Sequence, residues 1–182
     1  MTSDVAEPDG ALEPDGALEP DGAVHLRRAI ELSRSFVANP RMTPFGAVVV
    51  LDGVVIGEAT SSVVRDRDVT AHAEVNALRA ACATLGSHLL TGAVVYSSSE
   101  PCPMCLSACM WAQVSKVVFA ATTQDTADCG FEDAEFYQDL ARPLEDRVIV
   151  EVIDAGLRPL AVEALRAWHA TQPDSNGLLE LG

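Results

Sequence analysis

The sequence predicts an α/β domain in which helices cover both faces of a mixed β-sheet. Three observations lead to this fold class. A β-hairpin pattern near the start is followed by β-rich segments that alternate with helical ones. The chain has 182 residues, enough for one domain with its own core. It is 48% hydrophobic, which is more than a disordered chain carries.

The elements can be followed in order along the chain. A helical stripe of apolar residues begins at Leu26 and ends before Asn39-Pro40, because proline cannot continue a helix. The stretch FGAVVVLDGVVIGEAT indicates two strands joined at Asp52-Gly53, a dipeptide typical of tight hairpins. The segments predicted after it are a helix over 71–85, a strand over 93–97, a helix over 103–113, strands over 116–121 and 147–153, and a helix over about 159–171.

The start of the chain has a composition of its own. Three tandem hexapeptides, EPDGAL, EPDGAL and EPDGAV, run from Glu7 to Val24. Proline and glycine in every copy favour neither a helix nor a packed strand. We therefore predict a disordered acidic repeat tail over residues 1–23, a folded domain over 24–172 and a flexible C-terminal end over 173–182.

Charge and cysteine content limit the possible partners. The net charge is -15, and seven of the 27 acidic residues lie in the tail, so the rest of the chain still has 20 acids against 12 bases. Such a surface repels a polyphosphate backbone, which disfavours nucleic acid and leaves a small molecule as the expected ligand. No apolar run approaches the length of a membrane span, and five cysteines at low density fit a reducing cytoplasm.

Three of the five cysteines are clustered in SSSEPCPMCLSACMW, residues 97–111. A Cys-x-x-Cys pair alone fits either redox chemistry or zinc. The upstream stretch TAHAEVNALRAAC, however, places His72 at the start of a predicted helix. His72, Cys102 and Cys105 would provide three zinc ligands and leave a fourth position for water, as a hydrolytic zinc site requires.

Glu74 lies two residues beyond His72 and is predicted to act as the general acid and base. The pattern H-x-E followed by P-C-x-x-C is the signature of zinc-dependent deaminases. Cys109 should face the same side of its helix as Cys105, but a fourth protein ligand would close the site, so we predict a buried thiol there. A structural zinc site and a redox pair are the competing interpretations of the cluster.

The landmarks PFGAVVV, TAHAEVNALRAAC, SSSEPCPMCLSACMWA and DTADCGFEDAEFYQDL give the chain a resemblance to the cytidine deaminase superfamily, from about Leu26 to Trp168. The segment from Gly130 to Asp133, followed by Tyr137, resembles the guanine deaminase branch. This resemblance implies a three-layer α/β/α sandwich with a five-stranded mixed sheet, a zinc cofactor and a homodimer. It also implies a C-terminal segment that reaches across to the partner's active site.

The resemblance further implies hydrolysis of a free nucleobase, guanine to xanthine and ammonia, with Glu74 shuttling protons. Backbone N–H groups near Cys102 and Ala73 would orient the base, and Asp125 would accept its N–H bonds. Phe45 and Trp111 are the aromatic candidates for the base pocket.

Three other functions compete with guanine deamination. This chain has Ala59, Thr60 and Ser61 where that branch carries a base-contacting Asn, so another small amino-heterocycle (cytosine, cytidine or an aminotriazine) is an alternative substrate. A tRNA adenosine deaminase would share the zinc motifs but needs a basic surface. An inactive zinc-stabilised binding module would have no use for Glu74.

Overall fold

A computed structural model describes residues 20–171; the predictions for residues 1–19 and 172–182 lie outside them. Its elements are, in chain order, α1 (Pro20–Ser33), which continues into a 3-10 turn (Arg34–Val37), β1 (Gly46–Leu51), β2 (Val54–Thr60), α2 (Val63–Asp66), α3 (Ala73–Leu85), β3 (Val94–Ser99), α4 (Pro103–Trp111), β4 (Lys116–Ala121), α5 (Thr123–Asp128), α6 (Ala134–Leu140), a second 3-10 turn (Leu144–Asp146) and α7 (Arg158–Ala170). None of the helices within these residues is long and apolar enough to span a membrane.

The four strands form one mixed sheet in the order β2-β1-β3-β4. The predicted hairpin is confirmed: β1 and β2 pair antiparallel around Asp52 and Gly53, whose φ angles of 50° and 74° are those of a tight primed turn. Strand β1 also pairs antiparallel with β3, and β3 pairs parallel with β4. Strands β2, β3 and β4 therefore run in the same direction, and their carboxyl ends lie at the same end of the sheet.

Helices cover both faces of this sheet, as predicted. Alternate residues of β1 point to opposite sides, so Ala47 and Val49 join the core under α3 and α4. Val48 and Val50 join a second core that includes Ala29 of α1. Burial on both faces explains why β1 is an apolar run rather than an alternating pattern.

Two glycines allow these helices to approach the sheet closely. A Cβ added at Gly46 would lie 2.7 Å from the Cβ of Leu32 in α1, and one added at Gly57 would lie 2.6 Å from the backbone nitrogen of Ala81 in α3. Helix α3 thereby packs directly against β2, and its first residues are fixed relative to the carboxyl ends of the strands.

The predicted strand over 147–153 and the fifth strand implied by the resemblance are wrong for residues 20–171, where the sheet has four strands. Five apolar side chains of the stretch Val148–Ile153 are 75–85% exposed, and the stretch is not part of a β-strand. The residues have high β propensity, but a strand also needs an edge to pair with and a face to bury. Helix α7 likewise buries no residue.

The described residues begin with a helix that starts before the predicted boundary after residue 23. Helix α1 begins at Pro20, so the last part of the third hexapeptide is helical. Proline is compatible with the first turn of a helix because its missing N–H would have no partner there.

Candidate active site

The predicted metal ligands lie close together at the carboxyl ends of β2, β3 and β4. His72 is the N-cap residue of α3, and Cys102 is the N-cap residue of α4. The His72 Nδ1 atom lies 3.5 Å from the Cys105 sulfur and 3.7 Å from the Cys102 sulfur. Ligand atoms on a tetrahedral zinc are about 3.5–3.8 Å apart, given bond lengths near 2.0 and 2.3 Å. The spacing and the chemistry of these three donors therefore fit a zinc ion with one position left for water.

The charges of the three groups are coupled. Hydrogen bonds with the Cys105 thiol and with His72, the former the larger cause, lower the pKa of Cys102 to about 4. The hydrogen bond between the two cysteines and burial raise the pKa of Cys105, while the bond to Cys102 raises the pKa of His72. The proton of the hydrogen bond between the cysteines thus belongs to Cys105, and the negative charge to Cys102. A divalent cation would displace that proton, as metal binding to thiols generally does.

Glu74 is the second residue of α3 and is only 5% exposed. Its Oε1 accepts a hydrogen bond from Ser97 Oγ at 3.1 Å, and its Oε2 accepts one from the Cys105 thiol at 3.4 Å. Burial raises the pKa of this carboxyl group. A buried carboxylate next to the ligand set is placed to exchange protons with a molecule bound there.

A cavity of about 310 Å³ opens above these residues. Its wall includes the predicted zinc ligands His72 and Cys102, the Glu74 carboxylate and the ring of Phe45. The ring of Phe45 meets that of Phe131 edge to face, with centroids 4.9 Å apart. The cavity is at the small end of the range for ligand pockets, which suits one compact ring system.

Two other predicted contacts, Asp125 and Trp111, lie elsewhere. Ala73, whose predicted contribution is a backbone N–H, is the first residue of α3, and its side chain is fully buried. The Asp125 carboxylate accepts hydrogen bonds from the backbone N–H and hydroxyl of Thr122, forming the capping box of α5. It is therefore used locally and does not face the cavity. Trp111 is 63% exposed, since it lies on the side of α4 opposite to the inward-facing Cys105 and Cys109.

Cys109 is the packing thiol that the sequence predicts. It is 2% exposed within the core under α3 and α4, and burial raises its pKa to about 12. Only His72, Cys102 and Cys105 form a metal-binding group among residues 20–171.

Asp133 lines the cavity, although no role was predicted for this acid from the sequence. Its Oδ1 atom is buried and has no hydrogen-bond partner among the described residues. Burial raises the pKa of this group, and the negative charge of Cys102 adds to the shift. The available signal was the Gly-Phe-Glu-Asp landmark itself, which marked the segment but not the direction of its side chains.

Tertiary contacts bring this segment to the cavity. The Tyr137 hydroxyl of α6 donates a hydrogen bond of 2.7 Å to the Pro101 carbonyl, next to the ligand Cys102. The Glu100 carboxylate accepts a bond of 2.9 Å from the N–H of Thr123 at the start of α5. Residues 131–133, between these helices, are thereby held over the ligand set.

The sequence and the structure were compared with known proteins. Residues 22–121 match the family model of the cytidine and deoxycytidylate deaminase zinc-binding region. A guanine deaminase of Bacillus subtilis is 47% identical over 106 residues, which are 58% of this chain and 68% of that protein. A tRNA-specific adenosine deaminase of Agrobacterium fabrum is 44% identical over 78 residues, and this chain spans about half of its length, 51%.

The crystal structure of the guanine deaminase from Bacillus subtilis superposes with a TM-score of 0.75 at 38% identity, covering 86% of this chain and 98% of that one. The matched family is defined by its zinc-binding region, and the three predicted ligands lie within the matched residues. The chain therefore belongs to the cytidine and deoxycytidylate deaminase family of zinc-dependent hydrolases.

Proposed function

We propose that this enzyme removes the amino group of a free purine base, converting guanine and water to xanthine and ammonia. The observation that carries the proposal is the cavity of about 310 Å³ whose wall joins two metal ligands to the buried Glu74 carboxylate. The similarity to a guanine deaminase over most of the folded chain supports the choice of base.

Each residue of the site has a defined task. His72, Cys102 and Cys105 hold zinc, which when bound supplies an acidified water and Lewis-acid polarisation. Glu74 accepts a proton from the attacking water and delivers it to the ring nitrogen beside the amino-bearing carbon. The second water proton follows the same route to the amino group, so that a C–O bond forms, the C–N bond breaks and ammonia leaves. Ser97 Oγ donates a hydrogen bond to the Glu74 carboxylate and positions it for both transfers.

The base is held between an aromatic wall and an acidic one. Phe45 and Phe131 provide apolar surface for a planar ring. Asp133 provides an acceptor, and guanine presents adjacent N–H donors at its 1-position and its exocyclic amine. A buried acceptor without a protein partner favours a ligand that donates to it, since an unmade bond costs free energy. The backbone N–H groups near Cys102 and Ala73, at the N-termini of α4 and α3, would orient the ring.

Deamination of adenosine in tRNA fits the chain less well. Outside the tail the 20 acidic residues outnumber the 12 basic ones, which disfavours a polyanion.

Free thiols at all five cysteines are compatible with the reducing cytoplasm, where we place the enzyme and its role in purine metabolism.

We further propose that the enzyme is a homodimer in which residues 148–171 are exchanged between subunits. The apolar side chains of Val148–Ile153 are exposed, and so are Leu160 and Leu165 of α7. A groove of about 630 Å³ beside His72 and Cys102 is lined by apolar residues, among them Val69, Met104 and Leu140. The exchanged segment of a second copy would cover this groove and bury its own apolar residues there.

Metal analysis tests the ligand set. We expect about one zinc per chain in the purified protein, and its loss in Cys102→Ala and Cys105→Ala, because three ligands hold the ion. Cys109→Ala is the matched control and should keep its zinc. Full zinc retention in the Cys102→Ala, Cys105→Ala double variant would refute this ligand set.

Glu74→Gln tests the proton shuttle. Glutamine has nearly the same shape but cannot accept and return a proton, and general acid–base catalysis is worth about 10²–10⁴-fold. Since Glu74 acts twice, we expect kcat to fall by the upper end of that range, with zinc content unchanged. Glu58→Gln, an exposed glutamate of β2, should retain full activity. A Glu74→Gln enzyme within about tenfold of wild type would exclude this role.

Asp133→Asn tests base recognition. The variant places an N–H group against the N–H groups of guanine, and such a mismatch costs on the order of 1–3 kcal/mol, or about ten- to a hundredfold in kcat/KM. Zinc content should not change. Asp125→Asn removes a carboxylate that only caps α5, and is expected to leave kcat/KM as it is.

The assay should cover guanine, cytosine, cytidine, adenine and an aminotriazine, with ammonia release as the readout. Equal losses in the Asp133→Asn and Asp125→Asn variants would argue against a specific contact from Asp133. If a pyrimidine or triazine is turned over well and guanine is not, the choice of base is wrong while the deaminase activity stands.

Complementation tests the exchange. One full-length chain carries Glu74→Gln, and the other carries Ile149→Asp with Val152→Asp, so each homodimer should be inactive. In an exchanged mixed dimer, one site combines an intact Glu74 with an intact segment from its partner, and co-expression should restore about a quarter of wild-type activity. A mixture that dimerises but stays inactive would show that each segment serves its own subunit.

A further inference from the structure

Helix α3 carries a second polar side chain two residues beyond Glu74 and one turn beyond His72, the amide of Asn76, which contacts the loop that leads into His72. Its Nδ2 group is within hydrogen-bond distance of three oxygens: the Thr60 carbonyl and the Ser62 hydroxyl, both at 3.1 Å, and the Ala71 carbonyl at 3.2 Å. These oxygens lie 16, 14 and 5 residues from Asn76 in sequence, respectively. One side chain thus contacts both ends of the loop that joins β2 to α3.

The contact with Ala71 acts directly on a metal ligand. The Ala71 carbonyl belongs to the peptide group whose nitrogen is that of His72. It accepts hydrogen bonds from Asn76 Nδ2 and from the Ser62 N–H at 2.9 Å. The His72 carbonyl, on the other side of the residue, accepts the first helical bond from the Asn76 N–H at 2.9 Å. Asn76 therefore holds the backbone on both sides of His72.

The contacts with Thr60 and Ser62 act on the wall of the cavity. Ser61, which lies between them, is 2% exposed and lines the cavity. Its hydroxyl accepts a hydrogen bond from Thr43, and its N–H donates to the Phe45 carbonyl at 3.0 Å. The same amide that fixes His72 thus also fixes the wall that carries Phe45.

The contact with Arg79 identifies the orientation of this amide. Its Nη1 donates to Asn76 Oδ1 and its Nη2 donates to Thr70 Oγ1, each at 3.1 Å. A guanidinium only donates, so the oxygen of the amide must face Arg79 and the NH₂ group must face the three loop oxygens. An aspartate at this position would instead place a carboxylate oxygen against two carbonyl groups.

We propose that Asn76 is a positioning residue that sets the His72 imidazole for metal binding by holding the Ala71–His72 peptide and the Thr60–Ser62 wall to α3. Residues that hold a ligand in place are typically worth about 10–100-fold in metal affinity. The inference rests on the proposed zinc site, and its direct readout is metal retention rather than turnover.

The test measures zinc release from the zinc-loaded full-length protein into an excess of a coloured chelator. Zinc should leave Asn76→Asp and Asn76→Ala about 10–100-fold faster than the wild type. Asn76→Ala leaves no charge behind, so it gives the same answer if Asn76→Asp does not fold. Arg79→Met removes the exposed bonds to Oδ1 and leaves those of Nδ2, and its release rate should stay within about threefold of wild type.

Loss of stability alone is controlled by Val50→Ala, a fully buried change in the core on the α1 side. It should lower the thermal midpoint and leave the rate of zinc release unchanged. Unchanged zinc release in both Asn76 variants would overturn the inference, and so would an equal acceleration in Val50→Ala. A wild-type protein that holds no zinc would instead refute the proposed function, and the inference with it.

Discussion

The active site depends on the common direction of three strands. Strand β1 is antiparallel to both β2 and β3, and β4 is parallel to β3. The carboxyl ends of β2, β3 and β4 therefore all lie at one end of the sheet. The segments that follow them carry His72, Cys102 and Asp133, which meet there although 61 residues separate the first from the last. Phe45 lies beside these residues because β1 runs in the opposite direction and begins at this end of the sheet. Ligands of open α/β sheets bind outside the carboxyl ends of the strands, where the connecting loops lie close together.

Helix N-termini then supply the electrostatic setting of the site. Two ligands are N-cap residues, and their helices direct backbone N–H groups and the positive end of a dipole toward the sulfurs and the Glu74 carboxylate. Without that field, two thiolates and a carboxylate within one site would repel one another strongly. The hydrogen bond between the two cysteine side chains shifts their pKa values in opposite directions, down for Cys102 and up for Cys105.

The sequence predicted what is encoded locally. The hairpin turn, strand β4 and the ligand trio follow from patterns within a few residues of each other, and all three hold in the structure. Asp125 and Asp133 show where such reasoning fails. Both are acids in one landmark segment, and only tertiary contacts such as Tyr137 to Pro101 decide which of them faces the cavity. The capping box that occupies Asp125 was a recognisable alternative, since Thr122 lies three residues before it.

The missing fifth strand has a different cause, which concerns the chain as a whole. Every buried apolar residue among residues 20–171 lies between Ala29 and Ala112, so the elements after β4 contribute none to the core. A strand-forming segment and a 13-residue helix that expose their apolar side chains gain little of the burial energy that normally stabilises such elements. Strand β4, at the edge of the sheet, also exposes part of Phe119. The exposed apolar side chains of Val148–Ile153 and of α7 are the observation that supports the exchanged dimer proposed above, in which a second copy of the chain would cover them.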